Sequence, residues 1–238
     1  MRNDAVGKDS MDAVEHDKRG AGGRPAAGRK GEVDARLLDA ATRLFLALGF
    51  DATSCDQVAL DARAGKASIY ARYANKGALF AALIESNLAR LFATPDALDV
   101  ADSPLRERMT VACLSVVEKA LQPDAVALLR LLVAEAPRLR DMALSADQVR
   151  WRMGVGRVAD AIAARSSEPD AIARATVPAT QLIDIVLAPA LMRALLGEDE
   201  AGLMPSAKEC IGAAIDFLAA GGALDSWDEA ASPDTFYK

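Results

Sequence analysis

The chain has 238 residues, 52% of them apolar and 26% charged, which excludes a disordered chain and suits one or two packed domains. Alanine supplies 51 residues, about 21%, aromatics only 5%, and no stretch alternates β-branched with polar residues, so a β-sandwich or barrel is excluded and an all-α fold is expected. The net charge of −6 is unevenly spread: residues 18–80 carry 11 basic and 6 acidic residues, whereas 81–238 carry 15 and 23. That asymmetry is what a small nucleic-acid-binding unit on an acidic body would show.

Cys55, Cys113 and Cys210 are odd in number and far apart, which fits neither a disulfide framework nor a zinc cluster. The single histidine, His16, lies in a polar stretch, so no metal site and no cofactor is expected. No signal peptide and no run of 18 uninterrupted apolar residues is seen, and a cytoplasmic protein is the expectation.

Residues 1–31 are polar and Gly-rich and read as a disordered basic arm, with Lys18, Arg19, Arg24, Arg29 and Lys30 uninterrupted by an acid. Such an arm can enter a minor groove or serve as a solubilising tail. A first helix is expected from Val33 to Leu48, its apolar face carrying Val33, Leu37, Ala41, Leu44, Phe45 and Leu48, with Gly49 as its stop. Ser54 and Gln57 form a capping box for a short helix over 55–62.

After Arg63-Ala64-Gly65, a second short helix is expected over 66–73 with Ile69 and Tyr73 inward. Asn75 then caps a long helix whose inward face is Leu79, Phe80, Leu83, Ile84, Leu88 and Leu91. Two short helices joined by a tight turn and braced by longer ones are the helix-turn-helix arrangement. Further amphipathic helices are expected near 103–121, 124–135, 144–166, 169–197 and 206–220. The fourth should be interrupted or kinked at Pro178 and Pro189. Residues 222–238 read as a flexible acidic tail that Trp227 could anchor in part.

Residues 33–92 resemble the DNA-binding domain of the TetR family of transcriptional regulators. The likeness is carried by Leu38-Asp39-Ala40-Ala41, Leu44-Phe45, Leu48-Gly49-Phe50, Ala52-Thr53-Ser54, Val58-Ala59, Ser68-Ile69-Tyr70, Tyr73 and Asn75-Lys76-Gly77-Ala78-Leu79-Phe80. The resemblance implies an N-terminal three-helix DNA-binding domain over 32–80 and a helical ligand-binding and dimerisation domain over 81–221. It departs at the turn, where Arg63, Ala64 and Gly65 replace the usual glycine, small apolar residue and serine. Arginine in a left-handed turn costs about 1–2 kcal/mol, and a shift of the turn toward Gly65 is the alternative.

On this resemblance the recognition surface comprises Lys66, Ala67, Ser68, Tyr70, Ala71 and Arg72 with Tyr73 beside them. Thr53, Ser54 and Lys76 lie at helix starts that favour phosphate, and Arg24 would enter the minor groove. Plain solvated, packing or capping roles remain open for each. The family pattern also implies a homodimer through about 177–196 and 206–220, with Leu182, Ile185, Val186, Leu191, Ile211, Ile215 and Leu218 at the interface or in the monomer core. It further implies a small-molecule effector, for which Met109, Met142, Trp151, Met153, Gln181 and Asp184 are pocket candidates.

An enzyme would need a nucleophile–base pair, a phosphate loop or a metal site, and none is legible. The expected function is therefore a DNA-binding repressor released by a small apolar ligand. The alternative is a helical binding or scaffold protein whose DNA-binding unit has decayed.

Overall fold

The computed structural model describes residues 27–93, 102–164, 166 and 168–228. Arg24, with the rest of residues 1–26, lies outside them, as do residues 229–238. Among the described residues all regular structure is helical. The elements are α1 (Ala27–Ala52), α2 (Cys55–Asp61), α3 (Lys66–Tyr70), α4 (Lys76–Ala93), α5 (Leu105–Leu121), α6 (Pro123–Glu135), α7 (Arg140–Ala163), α8 (Ala171–Leu195), α9 (Glu200–Ala220) and α10 (Asp225–Asp228).

α1 begins at Ala27, inside the stretch assigned to the arm, and is broken at Gly49 by φ 80°. Only glycine adopts that backbone at no steric cost, so the expected stop is real, although one further turn follows it. Phe45, Phe50 and Phe80 then pack mutually, with ring centroids 5.1–5.7 Å apart. Leu37, Val58, Ile69, Leu79 and Leu83 complete this core at 0% exposure. It is what holds α2 and α3, which are too short to persist alone.

The same core continues into Leu128 and Leu132 of α6 and Ala143 and Ala146 of α7. α4 is the shared element: its first half closes the helix-turn-helix unit and its second half packs toward α7. Arg138, in the turn after α6, adds an ion pair at 2.7 Å to Asp51 at the end of α1.

A second core fills the bundle of α5, α7, α8 and α9. α8 runs through both prolines without a break, contrary to the expected interruption. Pro189 has no N–H to give the Ile185 carbonyl. Cys210 of α9 places its sulfur 3.9 Å from that oxygen and its thiol donates there instead. α8 is long and apolar enough to cross a membrane by length and composition, yet half of that stretch is buried in the bundle.

α9 starts at Glu200 rather than near 206, because Asp199 caps it by accepting from the Gly202 N–H at 2.8 Å. A side-chain cap outweighs Pro205 as the start signal. The assignment of 222–238 as a free tail is corrected for its first part: α10 packs on the bundle, Leu224 and Trp227 are buried, and Arg174 stacks 5.3 Å from the Trp227 ring.

Candidate nucleic-acid interface

Ser54 caps α2 as expected: its Oγ accepts from the Gln57 N–H at 3.2 Å, and Gln57 Oε1 accepts from the Ser54 N–H at 2.9 Å. α2 ends in a Schellman turn. The Arg63 N–H donates to the Leu60 carbonyl at 3.1 Å and the Ala64 N–H donates to the Ala59 carbonyl at 2.8 Å. Arg63 occupies the left-handed position with φ 52°, and Gly65 is extended at φ −71° as the N-cap of α3. The turn has therefore not shifted to Gly65. Arginine carries the strain, because the two backbone bonds define the turn and Ala64 must reach the core beneath it.

α3 is shorter than the expected 66–73, ending at Tyr70 with Ala71 and Arg72 in a turn. Ile69 is fully buried. Lys66, Ala67, Tyr70 and Ala71 are exposed on the other side and form one continuous face, with Tyr70 52% accessible. Lys66 and Tyr70 both point to Asp56 of α2, with Nζ at 2.7 Å and the phenol at 3.4 Å. The hydrogen bond from Lys66 holds the Asp56 carboxyl below its usual range, and Asp56 in turn pushes the Lys66 ammonium up.

Other expected contacts are placed differently. Arg72 does not project. Its Nε pairs with Asp34 of α1, and its Nη1 donates to the Ser68 carbonyl at 2.9 Å and the Ser68 Oγ at 2.8 Å. Arg72 and Ser68 thus bracket α3 against α1, a link the sequence did not announce because Asp34 lies 38 positions away. Tyr73 is half-buried against the core, and burial pushes its phenol up.

Thr53 is 1% exposed, and its hydroxyl faces the carbonyls of Gly49 at 2.8 Å and Leu44 at 3.2 Å. It locks the end of α1 rather than meeting solvent, since the break at Gly49 leaves those carbonyls in need of a donor. Lys76 donates to the Phe50 and Asp51 carbonyls at 2.8 and 3.1 Å and lies 4.6 Å from the Phe50 ring centroid. Of three ammonium donors it has one left for a phosphate. Asn75 caps α4 by accepting from the Ala78 N–H at 2.9 Å, leaving the first turn of that helix beside Lys76.

Residues 37–83 match the family model described as bacterial regulatory proteins, tetR family. The N-terminal unit of this chain is thus similar to the DNA-binding domain of the TetR family. Over 57 residues it is 42% identical to the HTH-type transcriptional repressor SCO4008 of Streptomyces coelicolor, a match spanning 24% of this chain and 30% of that repressor. The fold is shared with a TetR-family transcriptional regulator from Mesorhizobium loti at TM-score 0.62 and 18% identity, covering 79% of this chain and 98% of that one. The flavonoid-responsive regulator FrrA superposes with TM-score 0.56 at 25% identity, covering 82% and 97%.

The helical body beyond the N-terminal unit carries an apolar pocket. A small, partly open apolar cavity of about 50 Å³ lies where α4, α6, α7 and α8 meet, walled by Ile84, Leu88, Leu128, Leu132, Arg150 and Leu191 among others. None of Met109, Met142, Trp151, Met153, Gln181 and Asp184 lines it. Met109 is deep core, while Met142 and Met153 pack toward the N-terminal core. Gln181 and Asp184 lie on the outer side of α8, where Asp184 accepts from the Trp151 indole N–H at 3.0 Å. Periodicity locates an apolar face but not the gap where several such faces meet.

The interface set is corrected likewise. Leu182, Val186, Leu191, Ile211, Ile215 and Leu218 are all buried within the single chain. Ile185 is 38% exposed, in line with Val177, Met192 and Leu196 down the outer side of α8. α9 returns antiparallel with Cys210 beside Ile185, so exposed Phe217 lies toward the Val177 end of that stripe.

Proposed function

We propose that this chain is a homodimeric repressor of transcription, bound to a pseudo-palindromic operator and released when a small apolar molecule enters the helical domain. The observation that carries the reading is the exposed face of α3. Lys66 and Tyr70 offer donors for base edges or phosphates, and Ala67 and Ala71 offer methyl groups that suit thymine. The rest of the unit holds that face outward: Ile69 buried beneath it, Arg72 bracing it to α1, and Ser54 and Lys76 at helix starts flanking it.

The apolar stripe of Val177, Ile185, Met192 and Leu196 with Phe217 supports a dimer through α8 and α9, since a row of exposed large apolar residues favours a covering partner. A two-fold axis there would set two α3 helices into successive major grooves, about 34–36 Å apart. The cavity supports ligand control because α4 forms part of its wall and also closes the DNA-binding unit. A ligand would act only through its different affinity for the DNA-bound and released states. Arg24 is proposed as a minor-groove contact from the N-terminal arm, and a cytoplasmic setting follows from the same reading.

Enrichment of duplexes from a random library tests this reading. Recovered sites with two inverted half-sites one helical turn apart support it. Recovery no better than for Ile185→Lys/Phe217→Lys, which should elute as a monomer, would oppose it.

A further inference from the structure

The cavity wall is apolar apart from Asn87 and Arg150. Asn87 is spent: its amide nitrogen donates to the Leu83 carbonyl at 2.8 Å and the Thr42 hydroxyl at 3.1 Å, and its oxygen accepts from Arg90. Arg150 is not. Its Nη2 pairs with Asp147 one turn earlier on α7, whereas its Nε is buried without an acceptor. A buried guanidinium N–H left without an acceptor is unfavourable, and a site of this kind is stabilised by whatever brings one.

We infer that Arg150 is the polar anchor of the effector site, and that the effector is an apolar molecule carrying a carboxylate. The inference rests on the ligand-controlled reading above and names the ligand class of that cavity. Guanidinium stays charged at all physiological pH values and presents its donors as a planar fork that matches carboxylate oxygens. Asp147, 56% exposed, holds the guanidinium through Nη2 alone, so Nε keeps no acceptor on a residue that lines the cavity. Ile84, Leu88, Leu128, Leu132 and Leu191 would take the hydrocarbon body. Charge inside an apolar wall discriminates strongly, because an uncharged ligand leaves the buried donor unanswered.

Calorimetric titration of the full chain with octanoate and with octan-1-ol separates these cases. The alcohol is the more apolar of the two, so a purely hydrophobic cavity would prefer it. The account predicts that octanoate binds at least tenfold more tightly than octan-1-ol. In Arg150→Met the order should reverse while alcohol binding persists. Arg150→Lys keeps the charge without the fork, and should retain a reduced preference for the acid. Preference for the alcohol in the unaltered protein, binding of neither probe, or an unchanged acid preference in Arg150→Met would each overturn the inference. Octanoate binding that leaves the DNA complex intact would uphold the Arg150 site and contradict ligand release instead.

Discussion

Asp56 of α2 accepts a hydrogen bond from Lys66 of α3 at 2.7 Å, so the charged donor of the recognition face is held by an acid of the preceding helix. A phosphate approaching that face meets a carboxylate as well as an ammonium. Asp56→Asn should therefore tighten binding to duplex DNA by about 3- to 10-fold and steepen the salt dependence by about one counterion. Fluorescence anisotropy across a salt series checks both. The pair is intact near neutrality: Lys66 lowers the Asp56 pKa, so the pairing is complete above the usual carboxylate range and lost only as pH falls below it. Binding between pH 6 and 8 should show no step from this pair.

The left-handed Arg63 closes a Schellman turn that glycine would close without strain. Arg63→Gly should raise stability by about 0.5–1 kcal/mol, seen as a higher urea midpoint at unchanged slope. A lower midpoint would show that the arginine side chain contributes more than its backbone costs.

Asp34 lies on α1, and through Arg72 it sets the tilt of α3. Asp34→Asn should weaken operator binding by about 5-fold while leaving the salt slope unchanged, because no phosphate contact is removed. A slope reduced by about one would mean that Arg72 reaches DNA itself.

The three thiols differ in access. Cys113 has no exposed surface, and burial pushes its thiol up to about 12, while Cys55 is 6% exposed and also raised by burial. Cys210 is only half-buried. At pH 8 an aromatic disulfide reagent should label Cys210 first, with Cys113 last and only on unfolding, since its thiolate fraction is roughly one in ten thousand. Mass mapping of the labelled peptides reads the order.

The N-terminal unit was legible because its signals are local. The Ser54–Gln57 box, the Asn75 cap and the face of Leu79, Phe80 and Leu83 each lie within a few residues, and each is found in place. What escaped was long-range. Arg108 is 3% exposed and donates to the Ala161 and Ile162 carbonyls at the end of α7, 53 and 54 positions away. Arg130 likewise donates to the Ala194 and Leu195 carbonyls at the end of α8. No spacing rule predicts which arginine meets which helix end. The apolar residues of α8 were similarly ambiguous, because a helix packed on several sides shows no single stripe, and Leu182 and Ile185 differ only in which neighbour they face.

The exposed face of α3 carries the account, and Ala67 lies at its centre. The most direct measurement is the affinity of Ala67→Glu and of the unaltered protein for an enriched operator, read by anisotropy with competitor DNA present. A glutamate there faces outward and leaves the fold intact, as circular dichroism would verify. The account predicts a loss of specific binding of at least 100-fold. Unchanged affinity would contradict it and place the DNA-reading surface elsewhere on the molecule.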